Sequence, residues 1–409
     1  MKKIRKMKRG LISIAVTLLS LTVAANDYDQ DKPFGFCTRA SRTNADSIYN
    51  ITGGGCYTYP VPTDFSGSLT ILTSEGPDVD MKEKIRNSLK NYEVVILDGS
   101  KGDFYVSSNV VNTNSNRTVI GINNARICTI WKITDKIKSL LDAVGVPQMR
   151  TSRGTGSTLD NGRRVSEEAE YNTRKIILEM TDDKDERYRS SGVLTIKNCQ
   201  NIIIRNISFV GPGAVDVGGS DLLSCQNAQN CWIDHCAFTD GMDGNFDITA
   251  SSDFITVSWC TFSYSERSYM HQNTNLVGYS DREPKGFLNT TFAFNWWGAG
   301  CNQRMPMGRV GKIHMLNNYF TSTTASNCIN PRISSEFLIE GNYFDKGVKR
   351  YYRQNDATAV TWAPNNFIAE AKKCPVSLGD TVTVPYNYTI APNSDVPSVV
   401  TKHAGATLY

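Results

Sequence analysis

The chain has 409 residues, 40% of them hydrophobic and 10% aromatic, which is enough to bury a large core and excludes a disordered chain. Its formal charge of +4 depends on a basic start: without the six Lys and Arg of the first nine residues, 38 basic side chains face 40 acidic ones. That balance excludes a nucleic-acid partner held by overall charge, so a polyanion needs a local basic patch or a metal.

In chain order, Lys2, Lys3, Arg5, Lys6, Lys8 and Arg9 precede an apolar run from Leu11 to Ala25 that ends in Val23-Ala24-Ala25. This is the three-part pattern of a cleaved signal peptide over residues 1–25, and the run is shorter than the roughly 20 residues of a membrane span. It predicts a secreted or periplasmic protein without stable membrane association. Residues 26–65 are polar and glycine-rich. Met81, Ile85 and Leu89 recur at helical spacing, and Val94 to Leu97 read as a buried strand. Residues 129–175 read as an insertion, with a helix around Ile137 to Leu141 and then a Gly/Ser/Thr-rich loop. The acidic run Asp182, Asp183, Asp185 and Glu186 lacks EF-hand spacing and reads as a solvated loop. Eleven cysteines in an exported chain permit disulfides, and Cys37 with Cys56 and Cys301 with Cys328 are plausible pairs; buried free thiols are the alternative for the others.

From about Val193 six segments resemble one another: Asn201 to Phe209, Asn230 to Phe238, Phe254 to Phe262, Asn289 to Trp297, Lys312 to Phe320 and Glu336 to Phe344. Their terminal aromatics are 29, 24, 35, 23 and 24 residues apart, a base period near 23 with inserted loops, which is a solenoid signature. Within each segment apolar residues alternate, as in Ile202 and Ile204 or Ile255 and Val257. Arg205, Asp234, Ser258, Ala293, Leu316 and Glu340 share one equivalent position on the other, outward face. The units are too short for helical crossovers, so strands must stack on their equivalents about 4.8 Å away. This predicts an all-β parallel β-helix over residues 66–370, with residues 371–409 as a tail packed on it. His235 falls on an inward station and reads as a core histidine.

Asp221, Asp247 and Arg304 lie 17, 15 and 16 residues before Phe238, Phe262 and Phe320, nearly one station in different coils. Arg304 would be two coils beyond Asp247. Asp243 lies at the bend before Asp247. Three converging carboxylates call for a cation, and hard oxygen ligands favour calcium over zinc or copper. Each signal is weak alone: Asp243-Gly244 is also an ordinary turn, and Arg304 and Arg309 are also ordinary surface residues.

The stretch WIDHCAFTDGMDGNFDITASSDFITVSWCTF, Trp232 to Phe262, resembles the pectate lyases of the first polysaccharide lyase family. The segment QRMPMGRVGKIHMLNNYF, ending at Phe320, resembles that family's catalytic strand and the coil after it. The resemblance implies a right-handed β-helix and calcium-dependent β-elimination on polygalacturonate. It assigns calcium to Asp221, Asp243 and Asp247, proton abstraction to Arg304, and substrate carboxylate binding to Arg309. A substrate-binding lysine of the family falls on Arg267, a departure, and a further carboxylate of some relatives falls on Gly219. Taking a proton requires a strongly perturbed guanidinium; the alternative for Arg304 is an electrostatic role. Two rivals stand beside this reading. A pectin lyase would act on methylated substrate without calcium. A non-catalytic polysaccharide-binding β-helix would not need Arg304 and Arg309 beside the aspartates. The expected partner is pectin or polygalacturonate, bound by a monomer.

Overall fold

The structure is a computed structural model that describes residues 31–42, 44, 46–143, 171, 175–176, 191–215, 220–371 and 373–409. The signal-peptide run, the Gly/Ser/Thr-rich loop, the acidic run at 182–186 and Gly219 lie outside the described residues. Residues 32–409 form one unit. No helix among the described residues is long and apolar enough to cross a membrane.

The strands build three parallel sheets that wind as a right-handed parallel β-helix. One sheet runs through Leu69–Thr73, Val94–Asp98, Arg117–Ile122, Gln200–Arg205, Gln229–Asp234, Asp253–Ser258, Thr290–Ala293, Lys312–Leu316, Glu336–Glu340 and Ala359–Trp362. A second, described below as the site sheet, includes Leu194–Lys197, Leu223–Gln226, Phe246–Thr249, Leu276–Val277, Met307–Gly308 and Asn330–Pro331. The third carries the aromatic ends of the repeats. Met81, Ile85 and Leu89 do line one buried face, of the helix Lys82–Asn91 and its start, against the core. A helix also spans Asp135–Ala143, with Ile137 and Leu141 buried.

The repeat alignment is the hydrogen-bonded register. Arg205 pairs with Asp234, Asp234 with Ser258, Ser258 with Ala293, Ala293 with Leu316 and Leu316 with Glu340. The terminal aromatics form one column inside the helix: Phe209, Phe238, Phe262, Trp297, Phe320 and Phe344 stack with centroids 5.0, 5.2, 5.3, 4.8 and 4.5 Å apart. Removing one of these fully buried rings would cost about 3–5 kcal/mol. Beside them Asn295, Asn318, Asn342 and Asn366 form a ladder in which each backbone N–H and amide donates to the next side-chain oxygen at 2.9–3.1 Å.

The outward face of this sheet is not left to solvent. Arg205, Asp234, Ser258, Ala293 and Leu316 have no exposed area. Residues 34–42 and 46–57 lie across this face: the Phe36 N–H donates to Thr291 Oγ1 at 3.0 Å and the Cys37 N–H to Thr256 Oγ1 at 3.1 Å. The C-terminal residues cover the rest, with Arg205 donating to Tyr409 Oη at 3.1 Å. Under this cover the buried Arg205 guanidinium pairs with Asp234 at 2.8 Å, and Asp234 also accepts from Ser258 Oγ at 2.7 Å. His235 is buried as expected but not inward. Its φ of 46° breaks the strand alternation, so the ring pairs with Asp234 and stacks on Trp259, which meets His403 of the C-terminal helix Val396–His403.

All eleven cysteines are free thiols, ten of them buried. The suggested pairs Cys37–Cys56 and Cys301–Cys328 are not formed. Cys37 packs with Trp232 whereas Cys56 packs with Val94 and Ile96, and Cys301 and Cys328 both take ordinary hydrophobic places in the main core.

Candidate active site

The site lies where the chain turns into the site sheet. Asp247 is inside the strand Phe246–Thr249 and pairs in register with Ser224. Asp221 therefore stands three residues ahead of that rung, further from the station of Asp247 than the spacing of 17 and 15 residues suggested. The residue level with Asp221 two coils further on from Asp247 is Arg304, three ahead of Met307, which pairs with Leu276. The coils are joined before that by a bridge from Asn273 to Gln303, so the later coil carries one extra residue there. Arg304 is that bulged residue, with φ of 61°, and its carbonyl accepts from the Asn275 N–H at 2.7 Å. A bulge of this kind re-aims a side chain at the rim of a sheet.

Gly244 separates the two nearest carboxylates. A Cβ there would lie 2.7 Å from Asp221 Oδ1 and 3.2 Å from Asp247 Oδ1, so only glycine lets both approach the same backbone position. Asp221 accepts from Ser224 Oγ at 3.1 Å and Asp247 from the Leu276 N–H at 2.9 Å. Asp243 lies apart from this pair in its bonding: its Oδ1 is 2.9 Å from His271 Nε2, which also touches Asn273 Nδ2 at 2.8 Å. Among the described residues no three acidic, histidine or cysteine side chains close around one metal-sized point.

The carboxylates raise one another. Burial, then the charges of Asp247 and Asp243, holds Asp221 well above the usual carboxylate range, against Ser224 and Arg304. Burial pushes Asp247 up to about 7; Arg304, the Leu276 N–H and His271 oppose that rise and Asp243 adds to it. Arg304 is thus the cation whose field reaches both. Arg309 is held below its ordinary range by burial and by Arg332, against the attraction of Asp281. Its Nη1 donates to the Gly278 carbonyl at 2.9 Å. Its Nε is 3.0 Å from Asp281 Oδ1 but too poorly aligned to be a hydrogen bond, which leaves that buried N–H unpaired. Arg267 is engaged elsewhere. It donates to the Gly211 carbonyl at 3.3 Å, stands 3.9 Å from Asp240, and lays its stem over Gly213.

Sequence reasoning missed the residues that hold the carboxylates in place. Ser224 and Gly244 had a signal, since both border assigned aspartates. His271 and Asn273 had none, because they sit in a loop with no repeat of its own.

A family model for pectate lyases matches residues 170–408. Pectate lyase A of Emericella nidulans is 35% identical over 236 residues, 54% of this chain and 67% of its own length. The probable pectate lyase A of Aspergillus fumigatus is 34% identical over 227 residues, 53% of this chain and 65% of its own. This chain thus spans about 65% of the length of several curated relatives it matches. Among solved structures, the major cedar pollen allergen Jun a 1 superposes with a TM-score of 0.58 at 17% identity, over 94% of this chain and 95% of its own. A pectate lyase from Bacillus sp. N165 in complex with trigalacturonate superposes with 0.51 at 19% identity, over 91% and 98%. These two likenesses establish the fold; with the family match over more than half of its length, the chain belongs to the pectate lyase family.

Proposed function

We propose that the protein is a secreted pectate lyase that cleaves α-1,4-linked polygalacturonate by calcium-assisted β-elimination, leaving 4,5-unsaturated oligogalacturonides. The observation that carries this reading is the approach of Asp221 and Asp247 to Gly244 with the charge of Arg304 acting on both. The donors fit a hard cation: they are carboxylate oxygens, mutually repelling and half-buried, beside one bare backbone position. Asp221 and Asp247, with Asp243 once it leaves His271, would hold calcium. Bound there, calcium would neutralise the uronate carboxylate and stabilise the charge that develops beside C5.

The chain's own residues do the rest. Arg309 is braced by the hydrogen bond from Nη1 to the Gly278 carbonyl and by the nearby charge of Asp281, which leaves Nη2 for a substrate carboxylate. Arg267 is proposed to bind a second carboxylate, at the cost of its contacts with Gly211 and Asp240. Arg304 takes the C5 proton, for which its guanidinium must first be neutral. The C5–H electron pair becomes the C4–C5 double bond, and the C4 oxygen departs with a proton. Export rests on the leader pattern of residues 1–25.

The test is the ultraviolet absorbance of the unsaturated product on polygalacturonate, with chelator, with calcium restored, and with magnesium in its place. Activity is expected to vanish in chelator and return with calcium only. Full activity in excess chelator refutes the calcium role. Faster cleavage of highly methylated pectin makes the protein a pectin lyase, and binding without product makes it a non-catalytic module.

A further inference from the structure

Beyond Arg304 the same corner of the β-helix continues for two more coils, and its charge changes sign. Met305 donates its N–H to the Cys328 carbonyl at 3.0 Å, and Cys328 donates to the Arg350 carbonyl at 2.9 Å. By the register of Met307 on Asn330 and of Ile329 on Tyr352, Arg304, Asn327 and Arg350 occupy successive rungs, about 10 Å from first to last by strand spacing. The bridge between Ile329 and Tyr352 carries the site sheet onward past Asn330–Pro331. At this end a cavity of about 630 Å³ is lined by Lys349, Arg350, Arg353 and Lys373, by Asn327, and by no acidic residue. The four cations are exposed, and among the described residues none is within ion-pair distance of a carboxylate. Asn327 is 4% exposed and its Oδ1 has no hydrogen-bond partner, a buried acceptor on the cavity wall. Burying an unpaired acceptor is costly, so the wall is built for a donor that the protein does not supply.

We propose that this cavity is a second polyuronate-binding site, which grips the carboxylates of an unesterified galacturonan strand by direct ion pairs while Asn327 Oδ1 accepts from a sugar hydroxyl. The proposal rests on the polygalacturonate reading above and extends it along the cleft. The acidic end would need a cation to hold a uronate; the basic end needs none. A strand long enough to reach both ends is held in two chemically different ways, and a short oligomer bound at Arg304 is not. The protein is therefore a long-chain enzyme whose affinity grows with substrate length in the direction of Lys349.

The experiment uses the full chain carrying Lys349→Ala, Arg350→Ala and Arg353→Ala together, with Lys349→Gln/Arg353→Gln as a milder second variant. Kinetics are measured on trigalacturonate and on long polygalacturonate, and binding of polygalacturonate and of fully methylated galacturonan is measured calorimetrically in excess chelator. Three exposed charge contacts predict a KM on the polymer raised about tenfold, with kcat and the trimer kcat/KM unchanged. In chelator the parent protein binds polygalacturonate, the triple variant binds it at least about fivefold more weakly, and the methylated polymer is not bound. An unchanged polymer KM in both variants overturns the proposal, as does equal binding of the methylated polymer or of a sulfated polymer without uronic acid. If the parent protein makes no product from any galacturonan, the lyase reading fails by itself; loss of chelator-resistant binding in the triple variant would still establish the cavity as a uronate site.

Discussion

Asp247 pairs across the parallel ladder with Ser224, and the Ser224 hydroxyl donates to Asp221 at 3.1 Å. One serine thus ties together two carboxylates that repel each other. The arrangement is metastable without a counter-charge, and its cost depends on pH. Asp247 has a folded-state pKa raised above its unfolded value, so its contribution to stability is present at low pH and is lost as pH rises through about 7.

From this sign, Asp247→Asn is expected to stabilise the protein in chelator. The amide oxygen can still accept from the Leu276 N–H, and one buried charge is gone. The gain should be near zero at low pH and reach about 1–2 kcal/mol above neutrality, less than the full shift because the site is open on one side. Melting temperature against pH in chelator, for parent and variant, checks it. Added calcium should raise the melting temperature of the parent and not of Asp247→Asn.

Gly244→Ala should separate folding from function. Its Cβ would meet Asp221 Oδ1 at 2.7 Å, and the carboxylate must swing aside. Overpacking at such a rim costs about 1–3 kcal/mol, which a core of this size survives. The expected result is a folded variant whose calcium response and turnover fall by at least about tenfold, the loss that follows from about 1.4 kcal/mol of transition-state stabilisation. Circular dichroism, calcium titration and product formation on one preparation check this. Normal turnover would place the reaction away from this pair.

Arg304 and Arg309 should fail differently. If Arg304 acts on the C5 proton, Arg304→Ala and Arg304→Lys lower kcat and kcat/KM together with little change in KM. Arg309→Ala should raise KM as well, because a carboxylate clamp contributes to ground-state binding. A folded Arg304→Ala that binds calcium and turns over normally would remove Arg304 from the chemistry.

A fourth expectation concerns the outer face. His314 is fully buried, with Nε2 2.9 Å from Glu340 and Nδ1 2.8 Å from Tyr386 Oη. Burial depresses the His314 pKa and outweighs Glu340. Burial raises Glu340, but hydrogen bonds from His314 and Tyr388 outweigh it and hold it low. Both signs agree. The unfolded chain takes up protons that the folded one refuses, from the ordinary histidine value of 6.5 downward and again below 4.5 for the carboxyl. The contribution of this pair to stability should decline on acidification from about pH 7 to pH 5. Melting curves of the parent and of His314→Gln should differ in slope over that range, the variant being flatter.

The repeating part of the fold was legible because the period-two pattern and the terminal aromatics are direct images of the ladder. Phe209 and Phe238 stand 29 residues apart in sequence and stack at 5.0 Å. The site was legible only as a set of residue types near one corner. The count back from each aromatic cannot register a bulge, so it put Asp221 two residues ahead of Asp247 rather than three and did not reveal the extra residue at Arg304. The cover of the outer face was not legible for a related reason. It comes from residues 34–42 and 46–57 and from the C-terminus, which have no repeat and reach the sheet across large sequence distances.

Those distances order events in time. Each strand finds its neighbour one coil away, so coils can add one after another as a chain is made. The Phe36 N–H, however, takes as its acceptor Thr291 Oγ1, 255 residues later. During synthesis from the N-terminus the strap must wait, with Phe36 and Cys37 exposed, until the 255 residues up to Thr291 have been produced. Arg205 waits in the same way for Tyr409, 204 residues later. The buried Arg205–Asp234 pair is therefore assembled early and sealed late, by a segment that closes over coils already wound.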